Sequence, residues 1–429
     1  MTEVLVATPS LRQLYQTGRV SQYLLLLACV AAVVGLFASR ALVALSPIVG
    51  VVAACAQPQL RANLRQWLRL RTVVSIGLLY LFLVLSGLYT TELGIWRHEV
   101  FRKLPFVVVP LAFAVAVPLS SRQKFGVGLL YVGLATLLSI TTLRGYLVDP
   151  EEANRIINMG HNIPATTGIF HIHFSIMLAL AFFFALLMRS SPVAIPAARW
   201  GLLGCAIVIF VVMHVLAYRT GLLVLYTMLL FDAVSLVVLQ RRFLLGLFTL
   251  VILVGFPLLA YHSLDSVKER VDTTFYDIEH YQTEQDISDF SASKRLAAWQ
   301  TALLVAREHP ILGVGMADVD KAMLYQYAYY NFGMKPKNWA MTHNQYLEYA
   351  VGGGVVGLLL WLLVLFAPYL QPPLRRNPYV IHFLLMMSVA NLVDSLLQMQ
   401  IGFNMFVFLY GFLVVSAERE ARHTAVLAA

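Results

Sequence analysis

The chain has 429 residues, of which 59% are hydrophobic and only 12% charged, with a net charge of +9. A mean hydropathy of +0.75 excludes an ordinary soluble globule and points to an all-α integral membrane protein. The positive charge sits mostly in short inter-span loops, which reads as a membrane collar and not as a surface for nucleic acid.

Runs of about 17–22 apolar residues predict about twelve transmembrane helices. They fall at roughly 20–38, 41–57, 72–90, 104–119, 124–143, 168–188, 200–217, 220–239, 243–261, 346–367, 379–396 and 402–417. The first is expected to be retained, since no small-residue cleavage site follows it. With a cytoplasmic N-terminus, Arg12, Arg19, Arg61, Arg65, Arg69, Arg71, Arg122, Lys124, Arg189, Arg199, Arg241, Arg242, Arg375, Arg376, Arg419 and Arg422 lie inside. Outside remain Arg40, Arg97, Arg102, Lys103, Arg144, Arg155 and Arg219, a ratio of roughly two to one in the sense of the positive-inside rule. Both termini are then cytoplasmic. Cys29, Cys55 and Cys205 fall within spans, so neither a disulfide framework nor a thiolate metal site is expected.

The expected organisation is a membrane domain of nine spans over 1–261, an external helical lid over 262–342, and a membrane domain of three spans over 343–429. Within the lid, Ser291 or Ser293 is expected to cap a helix through Glu308, with Leu296, Trp299, Leu303 and Ala306 on one face. Pro310 stops it and Gly313-Val-Gly315 turns the chain. Asp318 is expected to cap a second helix carrying Met323, Leu324, Tyr327 and Tyr330. A second outer segment, about 144–167, holds Arg144, Asp149, Glu151, Glu152, Arg155 and His161.

Candidate chemistry gathers at the outer membrane boundary. His343 stands where the chain re-enters the membrane, followed by Asn344, a candidate orienting or substrate-binding amide, and by Glu348 near the start of a span. An imidazole with an ordinary pKa of about 6.5 suits proton abstraction near neutrality. Arg219 lies at the outer junction of the seventh and eighth spans, and Arg295 at the start of the lid helix. Guanidinium forks bind phosphate through paired, charge-assisted hydrogen bonds; each arginine equally suits an interfacial or solvated role, and whether the two meet is a question for tertiary structure. Asn391, Asp394 and Gln398 form an i, i+3, i+7 stripe whose main expected role is packing. His171 and His173, two residues apart, diverge on a helix and lack an acidic third ligand, so no metal site is expected. Contacts of Lys103, Arg144, Arg155 or His161 with substrate are left open.

Together these features resemble the O-antigen ligase family of membrane glycosyltransferases. The likeness is carried by Lys294-Arg295-Leu-Ala-Ala-Trp299, by His309-Pro310-Ile-Leu-Gly313-Val-Gly315, by Thr342-His343-Asn344-Gln-Tyr-Leu-Glu348 with its glycine-rich continuation, and by Tyr218-Arg219-Thr220-Gly221. The resemblance implies a GT-C-like fold in the bacterial inner membrane and a periplasmic active site. It implies transfer of polysaccharide from undecaprenyl pyrophosphate to a sugar hydroxyl of lipid A-core, by inverting displacement without cofactor, metal or ATP. His343 matches the position of the base, and Arg219 and Arg295 match the arginines that hold the pyrophosphate. An O-antigen polymerase, a protein O-oligosaccharyltransferase and a transporter of lipid-linked sugar are the competing readings.

Overall fold

The computed structural model describes residues 10–158, 163, 165–281, 286–288, 290–339 and 341–428. Among them there is no strand. The first half contains α1 (Leu11–Gln16), α2 (Arg19–Ala38), α3 (Arg40–Cys55), α4 (Leu60–Trp67), α5 (Arg71–Leu85), α6 (Leu93–Arg102), α7 (Pro105–Val115), α8 (Ser121–Val148), α9 (Pro150–Asn158), α10 (His171–Arg189) and α11 (Pro196–Val215). The second half contains α12 (Arg219–Val234), α13 (Phe243–Ser263), α14 (Asp265–Tyr281), α15 (Ser291–Glu308), α16 (Val319–Tyr329), α17 (Gln345–Phe366), α18 (Pro378–Val393), α19 (Gln400–Leu409) and α20 (Ser416–Ala428).

Helices occupy all twelve expected segments, but among the described residues only nine are long and apolar enough to cross a bilayer alone. The second, fourth and eleventh segments became the shorter α3, α7 and α18. At 1.5 Å per residue the 11-residue α7 reaches about 17 Å, well under a hydrocarbon core of about 30 Å. It carries Pro110 and runs out before Pro118. It buries Phe106, Val109, Ala112 and Phe113 against protein, not lipid.

The bundle is built around α10, in which every residue from 172 to 185 is buried. A helix apolar on all faces belongs in the interior, and α10 packs against α8, α11, α12 and α18. By contrast α13 buries only Gly246 and Ala260 and faces lipid on most of its surface. α2 and α3 form a hairpin across Ser39, close enough that a Cβ on Gly35 would lie 2.5 Å from the Val43 amide. Such small-residue approach is how helices gain packing where lipid removes the hydrophobic drive. The Glu418 carboxylate accepts the Arg71 and Thr72 amides at 2.8 and 2.9 Å, capping α5 from α20.

Two features place the functional side chains. The insert between α13 and α17 holds three helices, where the sequence suggested a pair: α14 precedes α15 and α16. Neither expected serine caps α15. The Asp277 carboxylate of α14 takes the Ala292 amide at 3.1 Å, while Ser293 donates to the Asp277 carbonyl. The buried face of α15 is also not the expected one. Ala297, Ala298, Thr301, Ala302 and Val305 are buried and Leu303 is exposed, because α15 lies close along α17 and only small side chains fit between them. Asp318 stands at the N-cap of α16, yet its carboxylate accepts from Thr90 and Thr91 and ties the insert to the loop after α5.

The second feature is a break in α17. Gly354 has φ 58°, and the turn from Pro310 to Gly315 fills the interruption. The Val314 and Gly315 amides donate to the Val351 and Gly352 carbonyls at 2.9 and 3.0 Å. The Val355 and Val356 amides donate to the Pro310 and Ile311 carbonyls at 2.8 and 3.3 Å. Intrahelical bonds lost at the break are thus replaced by the insert's backbone, as buried peptide groups require. A Cβ on Gly354 would lie 2.4 Å from the Ile311 carbonyl, and one on Gly313 2.4 Å from the Gly353 amide. The glycines allow two backbones to touch.

Candidate functional site

His343 occupies the residue before the N-cap of α17, with φ 45°. A left-handed conformation is uncommon outside glycine, and here neighbouring bonds impose it. The Asn344 side chain accepts the Tyr346 and Leu347 amides at 2.9 and 3.1 Å and donates to the Leu392 carbonyl at 2.9 Å. The Asn344 amide donates to Ser395 Oγ at 3.1 Å, and Trp299 Nε1 donates to the His343 carbonyl at 3.3 Å. The backbone on both sides of the imidazole is pinned.

The side chain then has one direction to go. His343 Nδ1 lies 3.1 Å from Asp394 Oδ1, with the histidine side chain 36% exposed and the aspartate 11%. Asp394 terminates α18 in extended conformation and also accepts the Ser395 amide at 3.0 Å. Burial alone would raise its pKa. The hydrogen bond and charge of His343, with Arg295 behind them, outweigh that and hold it below the usual carboxylate range. With Nδ1–H given to the carboxylate, Nε2 keeps its lone pair. The pair has the form of an oriented base.

One guanidinium group neighbours this pair, and two more follow behind it. Arg295 lies within electrostatic reach of Asp394 and of Arg219, which in turn neighbours Arg270. Arg219 donates to Thr274 Oγ1 at 2.8 Å and Ser291 Oγ at 3.0 Å, so it is held by α14 and α15. Arg270, 2% exposed, is pushed down to about 10 by burial and by Arg219, against the pull of Tyr218 and Asp277. Burial likewise lowers Arg295, opposed by Asp394. All three stay charged at neutral pH. Against them stand Asp277, which also caps α15, and Asp394, which also holds His343. Among the described residues, three guanidinium groups and two carboxylates, each already hydrogen-bonded, gather near a half-exposed imidazole. The cluster suits an anion taken by paired hydrogen bonds.

The structure therefore brings His343, Arg219 and Arg295 into one linked cluster, while Asn344 is buried and committed to the cap. Two members were missed by sequence reading. Arg270 sits in a helix whose polar sequence gave no apolar stripe to place it. Asp394 was read as a packing residue in a stripe with Asn391 and Gln398. The helix ends at Val393, so the three do not share a face; Gln398 lies in the following turn. A carboxylate at the end of an apolar helix was the available signal.

The other candidates fall elsewhere. Glu348 is buried and accepts from Thr342 Oγ1 at 2.5 Å and from Gln398 Nε2 at 2.7 Å. Lys103 is buried 3.3 Å from Glu99, within electrostatic reach of Arg102 and Glu348. Arg155 pairs with Glu152 on an exposed surface, and Arg144 is exposed. His161 lies outside the described residues. His171 is near Arg270, Arg295 and Asp394, whereas both nitrogens of His173 are buried without a well-formed hydrogen bond. Among the described residues no group of three or more His, Cys, Asp or Glu side chains is arranged to hold a metal ion.

Residues 168–362, from the loop before α10 through most of α17, match the profile of the family described as O-antigen ligase. That stretch, somewhat under half of the chain, is similar to the O-antigen ligase family. The matched stretch contains Arg219, Arg270, Arg295 and His343; the partner of His343, Asp394, lies beyond it. A protein of Haemophilus influenzae, described as uncharacterized, is 28% identical over 118 residues, which cover 28% of this chain and 29% of that protein. The chain thus spans less than a third of that relative's length.

Proposed function

We propose that this protein transfers a polysaccharide from undecaprenyl pyrophosphate to a sugar hydroxyl of lipid A-core, at the periplasmic face of the bacterial inner membrane. The observation that carries this reading is the His343–Asp394 pair set against Arg295, Arg219 and Arg270. The acceptor hydroxyl gives its proton to His343 Nε2 while its oxygen bonds to the anomeric carbon. The bond from that carbon to the phosphate oxygen breaks, and its electron pair leaves with the prenyl pyrophosphate. Attack from the opposite side inverts the anomeric centre.

Asp394 holds the imidazole in the tautomer with Nε2 free and stabilises the imidazolium that forms. Such a base typically contributes about 10²–10⁴-fold in rate. The three guanidinium groups meet the charge that grows on the leaving pyrophosphate, as fixed cations aimed at developing charge do. The phospho-sugar bond supplies the driving force, so neither nucleotide nor metal is required in this scheme. Asn344 acts as a positioning residue, through its cap. The excess of basic residues in the loops on the side of α1 and α20 supports a cytoplasmic placement of both ends.

The test is reconstitution in lipid with prenyl-pyrophosphate glycan, rough lipopolysaccharide and EDTA. Wild-type protein joins glycan to the core, and His343→Ala, though inserted, does not. Elongated prenyl-linked glycan in place of modified core would make it a polymerase. Movement of donor between leaflets with no new glycosidic bond would make it a transporter.

A further inference from the structure

A cavity of about 530 Å³ opens at the site end of the bundle and touches none of the three arginines. Its walls come from the α2–α3 turn, the loop before α10 and the turn before α19. Sites for small polar ligands commonly measure about 300–1,000 Å³, apolar with a few converging polar groups. Here the polar groups are Ser39, Arg40, Thr167, His173, Gln398 and Gln400. Phe170 and Met399 supply exposed apolar surface among them, 42% and 45% accessible.

The cavity connects with the reaction centre in two ways. His173, 1% exposed, lines it, lies within electrostatic reach of Asp394, and has neither ring nitrogen in a well-formed hydrogen bond; the Leu396 carbonyl stands nearest. A buried imidazole left in this state costs free energy unless a ligand completes it. Gln398 donates to Glu348, whose other oxygen accepts from Thr342, the residue before His343.

We propose that this cavity binds the terminal sugars of the acceptor, the arm of the reaction that brings a hydroxyl to His343; the inference rests on the transferase reading above. Neutral hydrogen-bonding groups at its floor suit sugar hydroxyls, which both donate and accept. The flat face of Phe170 suits the apolar face of a pyranose. Exposed Arg40, at the end of the cavity nearest the α2–α3 turn, suits an anionic substituent of the same glycan. A pyrophosphate is better served by the three arginines, so the two substrates approach on different surfaces.

The experiment measures acceptor and donor KM separately for reconstituted wild type, Arg40→Ala, Gln400→Ala and Thr167→Trp, using rough lipopolysaccharide as acceptor. Thr167 and Arg40 are exposed, so both substitutions are compatible with folding. Thermal stabilisation by rough lipopolysaccharide is followed in parallel. The proposal expects acceptor KM to rise about tenfold or more, donor KM to stay unchanged, and stabilisation by the acceptor to be lost in Thr167→Trp. Unchanged acceptor KM in all three active variants, or an equal rise in donor KM, overturns the cavity assignment and leaves the transferase standing. A wild type that forms no glycosidic bond with this acceptor overturns both.

Discussion

His343 and Asp394, fifty-one positions apart in sequence, meet at 3.1 Å because the N-cap of α17 and the C-terminal end of α18 share Ser395. The Ser395 hydroxyl receives the Asn344 amide and its own amide binds Asp394. One serine therefore sets the distance between imidazole and carboxylate.

Asp394→Asn keeps the shape but removes the charge that orients the imidazole. We expect kcat to fall by about tenfold or more, a part of the about 10²–10⁴-fold that a general base contributes in full, while donor KM stays near wild type. Because the folded state holds this carboxylate below its ordinary value, its ionised form stabilises the fold above about pH 3.9. That contribution fades as the pH drops further, towards the folded-state value. The gap in Tm between wild type and Asp394→Asn should shrink below about pH 4 in a thermal melt; a constant gap would assign the loss to packing.

Replacing Arg219, Arg295 or Arg270 by alanine should raise donor KM. A hydrogen bond to a charged group contributes about 1.5–3 kcal/mol, or roughly 10- to 150-fold. Lysine should restore little, since a point charge lacks the paired geometry. Kinetics with a titrated prenyl-pyrophosphate glycan decide it, and a wild-type donor KM in all three would return them to structural roles.

Asn344→Ala removes the cap of α17, at a cost of about 1 kcal/mol, and should lower kcat by loosening His343. Asn344→Asp retains an oxygen that can accept the Tyr346 and Leu347 amides and should recover most of that activity. If instead the aspartate variant alters KM for either substrate, the amide touches substrate.

Gly354→Ala places a methyl group against the Ile311 carbonyl at a positive φ. We expect a loss of about 2 kcal/mol or more, read as lowered Tm in detergent, with activity lost as the insert detaches from the break. Gly255→Ala, where a Cβ meets nothing within 4 Å, is the control.

Membrane class, the position of each apolar helix and three residues of the candidate site were legible in the chain itself. Long apolar runs admit few alternatives once backbone groups must satisfy one another in lipid. Arg219, Arg295 and His343 stood out because charged or titratable groups at span ends are costly without a purpose. What periodicity could not supply was which face of α15 is buried. That is decided by how closely α15 approaches α17, and small residues won over Leu303. The carboxylate behind His343, the third arginine and the commitment of Asn344 to a cap likewise depend on contacts between elements far apart in the chain. A helix end can be read from local sequence, but what its last residue touches is set by the helix that packs beside it.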